Sequence, residues 1–302
     1  MSAIATQYNP DGTSADEIFV FYNDKDALLG FELVDAQSTD VVTYDSASIS
    51  TKGFIRNPSQ LAAIHFKRVM RVYAVNDADS DIVLISPGLK DLNISTEKTY
   101  GSLAVCGDGA DQAWLFYLKG NPCTIRVYDL QLKVPTPLGF GNVLDSSYLA
   151  ACYDTIKGQA HLIYQSNDKP SVLVHAQGTS GASGEGITST DTAAANTPVA
   201  VCAHPKQTQI QVYFKNNSDN MVHRVSWNPV EKRPYSDPMM VGEAAMDAFS
   251  SISVVAAPDG SGVHVFYVYD QDEKTRALAH VVDNWHTHSD KERGTVGAKP
   301  MY

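Results

Sequence analysis

A unit of three short apolar runs returns six times along the chain, and no other feature restricts its fold as much. The clearest copy is Leu103-Ala104-Val105-Cys106, then Leu115-Phe116-Tyr117, then Ile125-Arg126-Val127-Tyr128. The same order recurs as Leu149-Ala150-Ala151-Cys152, Leu162-Ile163-Tyr164 and Val172-Leu173-Val174. It recurs again as Val199-Ala200-Val201-Cys202, Val212-Tyr213-Phe214 and the run from Met221 to Val225. Weaker copies open at Ile4, Leu61 and Ile252, so six units begin near residues 4, 61, 103, 149, 199 and 252, about 42 to 57 residues apart.

The runs are β-branched or aromatic and too short for helices. Clusters such as Asn23-Asp24-Lys25-Asp26, Asn76-Asp77-Ala78-Asp79 and Asn216-Asn217-Ser218-Asp219 punctuate them as hairpin turns. The pattern predicts an all-β fold, a six-bladed β-propeller with four antiparallel strands per blade, in which residues 1–302 form one domain. Small Ala residues suit the crowded innermost strand, and Phe and Tyr of the middle strands fill the wide space between blades. A stacked solenoid would need polar capping repeats, and neither end supplies one. Closure is expected where residues 3–8, the first inner strand, meet a last outer strand after Trp285.

Composition narrows the function. A net charge of −11, from 34 Asp and Glu against 23 Lys and Arg, disfavours nucleic acid and anionic membranes as partners. No run reaches the ~18 apolar residues of a membrane span. The start MSAIATQYNPDG has no export signal, so a cytoplasmic location is expected unless a leader has been removed. Four cysteines do not make a disulfide scaffold. Cys106, Cys152 and Cys202 share one repeat position and read as reduced core residues, and Cys123 as a free thiol in a turn. Signatures of hydrolases, kinases and dehydrogenases are absent. No cofactor or metal is expected: the turn Asp77-Ala78-Asp79-Ser80-Asp81 lacks the Gly and Glu of a calcium loop, and His286, His288 and Asp290 read as a surface feature. The Gly178–Gly186 stretch reads as a loop between the third and fourth strands of blade four.

The order of strands, above all Leu61-Ala62-Ala63-Ile64-His65-Phe66 followed by Met70-Arg71-Val72-Tyr73, resembles the fungal fucose-specific lectins of the Aleuria type, which are six-bladed propellers. That resemblance implies sugar sites between adjacent blades, each with an Arg, a Glu and an aromatic residue. The position of the Arg holds Phe19, Arg71, Trp114, His161, Gln211 and His264. That of the Glu holds Gly30, Leu84, Val127, Val174 and His223. That of the aromatic holds Phe66, Asp108, Asp154, His204 and Ala257. No blade keeps all three, and a sugar hydroxyl left without a partner costs about 1–3 kcal/mol.

A propeller whose sugar residues are overwritten also resembles the fungal hetero-Diels-Alderases of tropolone-sesquiterpenoid pathways. This implies a pericyclase acting on polyketide and terpenoid partners: an o-quinone methide held against a terpene alkene, with orientation as the main lever. A proton donor or acceptor would assist dehydration, and a hydrogen-bond donor would stabilise the developing oxyanion. The alternative is a carbohydrate-binding lectin of altered or lost fucose specificity; a homodimer stays open in either case. The candidate catalytic residues are His65, Arg71, Asp154 and His204, and the candidate ligand-binding residues are Phe66, Asp108, Trp114, Tyr153, His161 and His264. His65, Asp108, Tyr153, Asp154 and His204 lie at the ends of inner strands and are expected to gather around one mouth of the central channel. The competing reading is that Asp and His there only hold turns. Arg71 and Lys67 offer positive charge to an oxyanion, and Trp114, His161 and His264 either line a cleft between blades or pack the core.

Overall fold

The structure, a computed structural model, describes residues 3–10, 17–23, 29–36, 41–43, 53–57, 59–97, 100–139, 143–168, 172–180, 184–230, 235–248, 250–270, 276–285 and 299–300. Most of the turn at 23–26 and the residues His286, His288 and Asp290 lie outside them.

Six four-stranded antiparallel sheets, each a simple meander, make up the six-bladed propeller. Blade one is β1 (Ile4–Tyr8), β2 (Glu17–Asn23), β3 (Leu29–Asp35) and β4 (Val41–Thr43). Blade two is β5 (Ala62–Phe66), β6 (Val69–Val75), β7 (Asp81–Ser86) and β8 (Lys90–Ser95). Blade three is β9 (Leu103–Gly107), β10 (Ala113–Lys119), β11 (Thr124–Asp129) and β12 (Val134–Pro137). Blade four is β13 (Ala150–Asp154), β14 (Gln159–Gln165), β15 (Leu173–Gln177) and β16 (Glu185–Ile187). Blade five is β17 (Val199–Ala203), β18 (Ile210–Lys215), β19 (Val222–Trp227) and β20 (Met239–Val241). Blade six is β21 (Ile252–Ala256), β22 (Val263–Asp270), β23 (Arg276–Asp283) and β24 (Lys299–Pro300). Every expected inner strand is found. The Gly178–Gly186 stretch is only in part a loop, because Glu185 and Gly186 already pair in β16.

Register explains the small residue of each inner strand. Ala5 pairs with Phe21, Ala62 with Tyr73, Ala104 with Phe116, Ala150 with Ile163, Ala200 with Tyr213 and Ser253 with Phe266. A small side chain stands across from a large one in every blade, and all twelve are buried. The large member reaches into the seam toward the next blade, where it dominates the hydrophobic burial. Each seam is one contiguous cluster: Tyr73 and Ile64 of blade two, for instance, pack with Leu115 and Tyr117 of blade three.

The ring closes between blades six and one. The Ile4 amide donates to Ser251 Oγ at 2.7 Å, Thr6 Oγ1 and Ser253 Oγ lie 2.9 Å apart, and Ile18 and Val20 share a cluster with Phe266 and Val268. The last outer strand follows Trp285 as expected, with Ala279 paired to Pro300. The six inner strands surround a channel that widens at their C-terminal ends into a cavity of about 670 Å³. Near their N-terminal ends the buried Gln60 side chain ties three blades together: its Oε1 accepts from the Leu103 and Leu149 amides at 3.3 and 2.9 Å, and its Nε2 donates to the Leu149 carbonyl at 2.9 Å.

All four cysteines are free and buried, and burial pushes the thiols of Cys106, Cys152 and Cys202 up, which keeps them protonated and unreactive.

Candidate functional site

Alternation along each inner strand decides where the candidate residues go. Ile64, Cys106, Cys152, Cys202 and Val255 pair with Arg71, Trp114, His161, Gln211 and His264, and Gln7 pairs with Phe19. The position assigned to Arg is therefore one structural position in all six blades, facing the seam that follows its own blade. Asp108, Asp154 and His204 lie two residues further along the inner strand, on that same side. His65 and Tyr153, one residue off, face the opposite seam.

The five residues consequently do not gather in one cluster. His65, Asp108 and Tyr153 border the wide mouth of the channel, whereas Asp154 and His204 do not. Asp108 Oδ1 accepts from the amides of Ala110, Asp111 and Gln112 at 2.8, 3.0 and 2.9 Å. Asp154 Oδ1 accepts from those of Ile156 and Lys157 at 2.8 and 3.1 Å. Both carboxylates hold turns, as the competing reading had it. His204 accepts from the Lys206 amide at 3.0 Å and lies against Trp285 with ring centroids 4.7 Å apart; burial lowers its pKa. His65 keeps a buried Nε2 with no partner in the structure.

The position assigned to Glu is not one position. Gly30, Val174 and His223 pair with Tyr22, Tyr164 and Phe214, but Leu84 and Val127 stand one residue further along, opposite Tyr73 and Phe116. The uniform set on the side of Arg71 is Phe31, Leu84, Val127, His175, Arg224 and His280. Counting in twos from each turn finds it; matching residue types does not.

Three seams are filled from within. Between blades four and five, His161 Nδ1 and His175 Nε2 lie 2.8 Å apart, and His175 Nδ1 and the Tyr235 hydroxyl 2.8 Å apart, beside Trp227. Burial lowers the two imidazoles to about 4 and about 3. His264 and His280 repeat the arrangement between blades six and one at 2.9 Å. His161 and His264 are thus buried core groups and line no open cleft. Between blades five and six, Arg224 and Asp283 form a buried ion pair at 3.3 Å, and the guanidinium also donates to the Asn284 carbonyl at 2.9 Å and to Met239 Sδ at 3.0 Å. A cation and an acid do meet here, but they engage each other, and Trp285 packs nearby with its indole Nε1 buried and without a hydrogen-bond partner. Trp114, half-buried, packs on Tyr153 across the seam between blades three and four at 5.9 Å.

The seam between blades two and three is built differently. Arg71 is only partly buried, and its guanidinium lies 5.2 Å from the centroid of the buried Phe66 ring, with Lys67 Nζ 5.5 Å from the same ring. Tyr73, Tyr117 and Tyr128 line the interior of this seam. Burial raises the pKa of Tyr73, and the neighbouring Arg71 pulls it back through a hydrogen bond and its charge. Across the seam Arg126 pairs with Tyr117, whose pKa burial raises and the Arg126 charge pulls back, and Arg126 Nε is buried without a hydrogen-bond partner. The hairpin before Arg71 turns on Lys67 and Arg68, with φ of 53° and 60°. Two consecutive positive φ values make a two-residue turn that favours Asn-Gly, and each non-glycine residue there costs about 1–2 kcal/mol. Lys67 Nζ also donates to Gln131 Oε1 of blade three.

No protein-family model and no curated protein matches the chain. Solved structures do. The fucose-specific lectin from Aleuria aurantia matches at a TM-score of 0.71 and 16% identity, covering 99% of this chain and 96% of the lectin. A lectin from Burkholderia pseudomallei matches at 0.65 and 15%, covering 99% and 84%. A lectin solved with α-methyl fucoside matches at 0.66 and 11%, covering 99% and 96%. At these identities the likeness shows the fold: the chain is a six-bladed propeller built like that of fucose-binding lectins.

Proposed function

We propose that the protein is a carbohydrate-binding propeller in which one seam, that between blades two and three, does the binding. The observation that carries this is Arg71. It alone supplies a cation at the position assigned to Arg, partly open to solvent over the Phe66 ring, while His161, Gln211 and His264 are buried at the same position. A solvent-accessible arginine that can fix hydroxyls by charge-assisted hydrogen bonds is sugar-binding chemistry, and the solved neighbours include lectins named as fucose-specific. Titration calorimetry with a panel of monosaccharides should give one site per chain, lost in Arg71→Ala without a change in fold by circular dichroism. A glycan array on which the intact protein binds nothing would remove this reading.

A second reading keeps the cycloaddition. It draws on the wide channel mouth, whose wall includes Ala151, Val201, Ala203 and Val254 and the unpartnered His65 Nε2. Its volume of about 670 Å³ is in the range of pockets for drug-sized ligands. The contributions would be apolar confinement of two reactants and one imidazole near their polar end. Stereoselective adduct from a hydroxymethyl tropolone and a humulene-type alkene, above the uncatalysed background and lost in His65→Ala, is the expected result if the mouth is a reaction chamber.

A further inference from the structure

We infer that the ligand of the seam between blades two and three is an anionic saccharide, a sugar ring carrying a carboxylate or a sulfate. The inference rests on the carbohydrate reading above and specifies its substrate class. Lys67, Arg71 and Arg126 belong to this seam and its rim, and none pairs with a carboxylate among the described residues. The acidic groups of the neighbouring turns are already engaged. Asp108 Oδ1 holds three turn amides, and Asp129 Oδ1 accepts from those of Gln131 and Leu132 at 2.8 and 2.7 Å.

A neutral sugar needs one such cation. Three in one seam of a chain with a net charge of −11 are more than hydroxyl recognition uses. Two features of the seam support a ligand that carries charge. Arg126 Nε is buried with its hydrogen unmatched, a loss that a ligand oxygen would make good. Lys67 and Arg68 occupy strained backbone positions that Asn and Gly would fill with less strain. The negative charge of the whole molecule sets the size of the ligand. A polyanion extending beyond the ~8–10 Å screening length meets repulsion, whereas one charge seated among the arginines does not.

The experiment is a calorimetric titration at low salt of the intact protein with glucuronic acid, galactose 6-sulfate, neutral methyl α-fucoside and inorganic sulfate. At least one acidic sugar is expected to bind about tenfold or more tighter than the fucoside, as charge-assisted bonds imply. That preference should collapse in Arg126→Met and weaken at high salt, with both variant and parent folded by circular dichroism. The two acidic sugars separate carboxylate from sulfate recognition. Fucoside binding as tight as that of either acidic sugar would overturn the inference and leave the carbohydrate reading standing. Inorganic sulfate binding as tightly as galactose 6-sulfate would overturn it too, by making the site an anion site without sugar recognition. Failure of every sugar would remove both.

Discussion

The seams between blades two and three and between blades four and five occupy the same place in the same architecture, and they have opposite electrostatics. In the second, the polar groups look at each other: His161 meets His175, and His175 meets Tyr235. In the first, Arg71 is partly exposed to solvent, and Arg126 Nε is buried without a partner, as His161 Nε2 is in the second. The contrast is one of charge and exposure: the imidazoles of the closed seam are buried and held neutral, whereas the open seam keeps a partly exposed arginine with no carboxylate partner among the described residues. Equivalent positions in this scaffold are joints where imidazoles pair across neighbouring strands, and in one seam the equivalent position carries a partly exposed arginine.

Acid should break the joints first, with the largest effect. His161, His175 and His280 are lowered by burial to about 4, 3 and 3, and the charges near His161, Asp154 raising and Lys157 lowering, do not reverse that shift. The unfolded chain takes up protons on these groups near pH 6.5, well before the folded one does. Stability is therefore complete above about pH 7 and declines as the pH falls toward 4. At pH 4.5 each imidazole kept neutral costs about 2–3 kcal/mol. Urea midpoints at pH 7.5 and 4.5 measure this, and the double substitution His161→Leu with His175→Leu should flatten the dependence. Equal midpoints at the two pH values would mean that these histidines are not sealed in.

A smaller loss is expected for Tyr235→Phe, which strips the hydroxyl from His175 Nδ1 and leaves a buried nitrogen unmatched, at about 1–3 kcal/mol. Urea unfolding at neutral pH reads it. A value near zero would mean that water replaces the hydroxyl, and the seam would then be less closed than the comparison requires.

The fold was legible in the sequence because a propeller repeats its register. Each inner strand pairs small with large, an Ala in five blades and Ser253 in the sixth, so the small-apolar runs marked their own boundaries. The position of Arg71 and its five equivalents was legible for the same reason. What failed was the assignment of sides. His65 and Asp154 are both near strand ends, but one residue of offset sends them to different seams, and similarity of residue type carries no information about that offset. The pairing partners His175, His280 and Arg224 lay on third strands whose starting points vary with turn length, so type matching mixed Leu84 and Val127 with Val174 and His223. Arg126 sits in the β11 run without any local signal, because only the packed seam reveals that its Nε has no hydrogen-bond partner.

The open seam should respond in the opposite sense when its strain is relieved. Lys67→Asn with Arg68→Gly puts the preferred residues into the two positive-φ positions and should raise stability by about 1–2 kcal/mol, while removing two cations from the rim. Arg71→Ala belongs at the small end of the scale: the side chain is partly exposed and has no ion-pair partner among the described residues, so unfolding should shift by less than about 1 kcal/mol. Both variants should nevertheless weaken saccharide binding. If the turn variant is no more stable than the parent, the turn is not strained, and its two cations lose their standing as residues kept at a cost. If Arg71→Ala is as destabilising as Tyr235→Phe, Arg71 is a joint like the histidines, and the contrast between the two seams disappears.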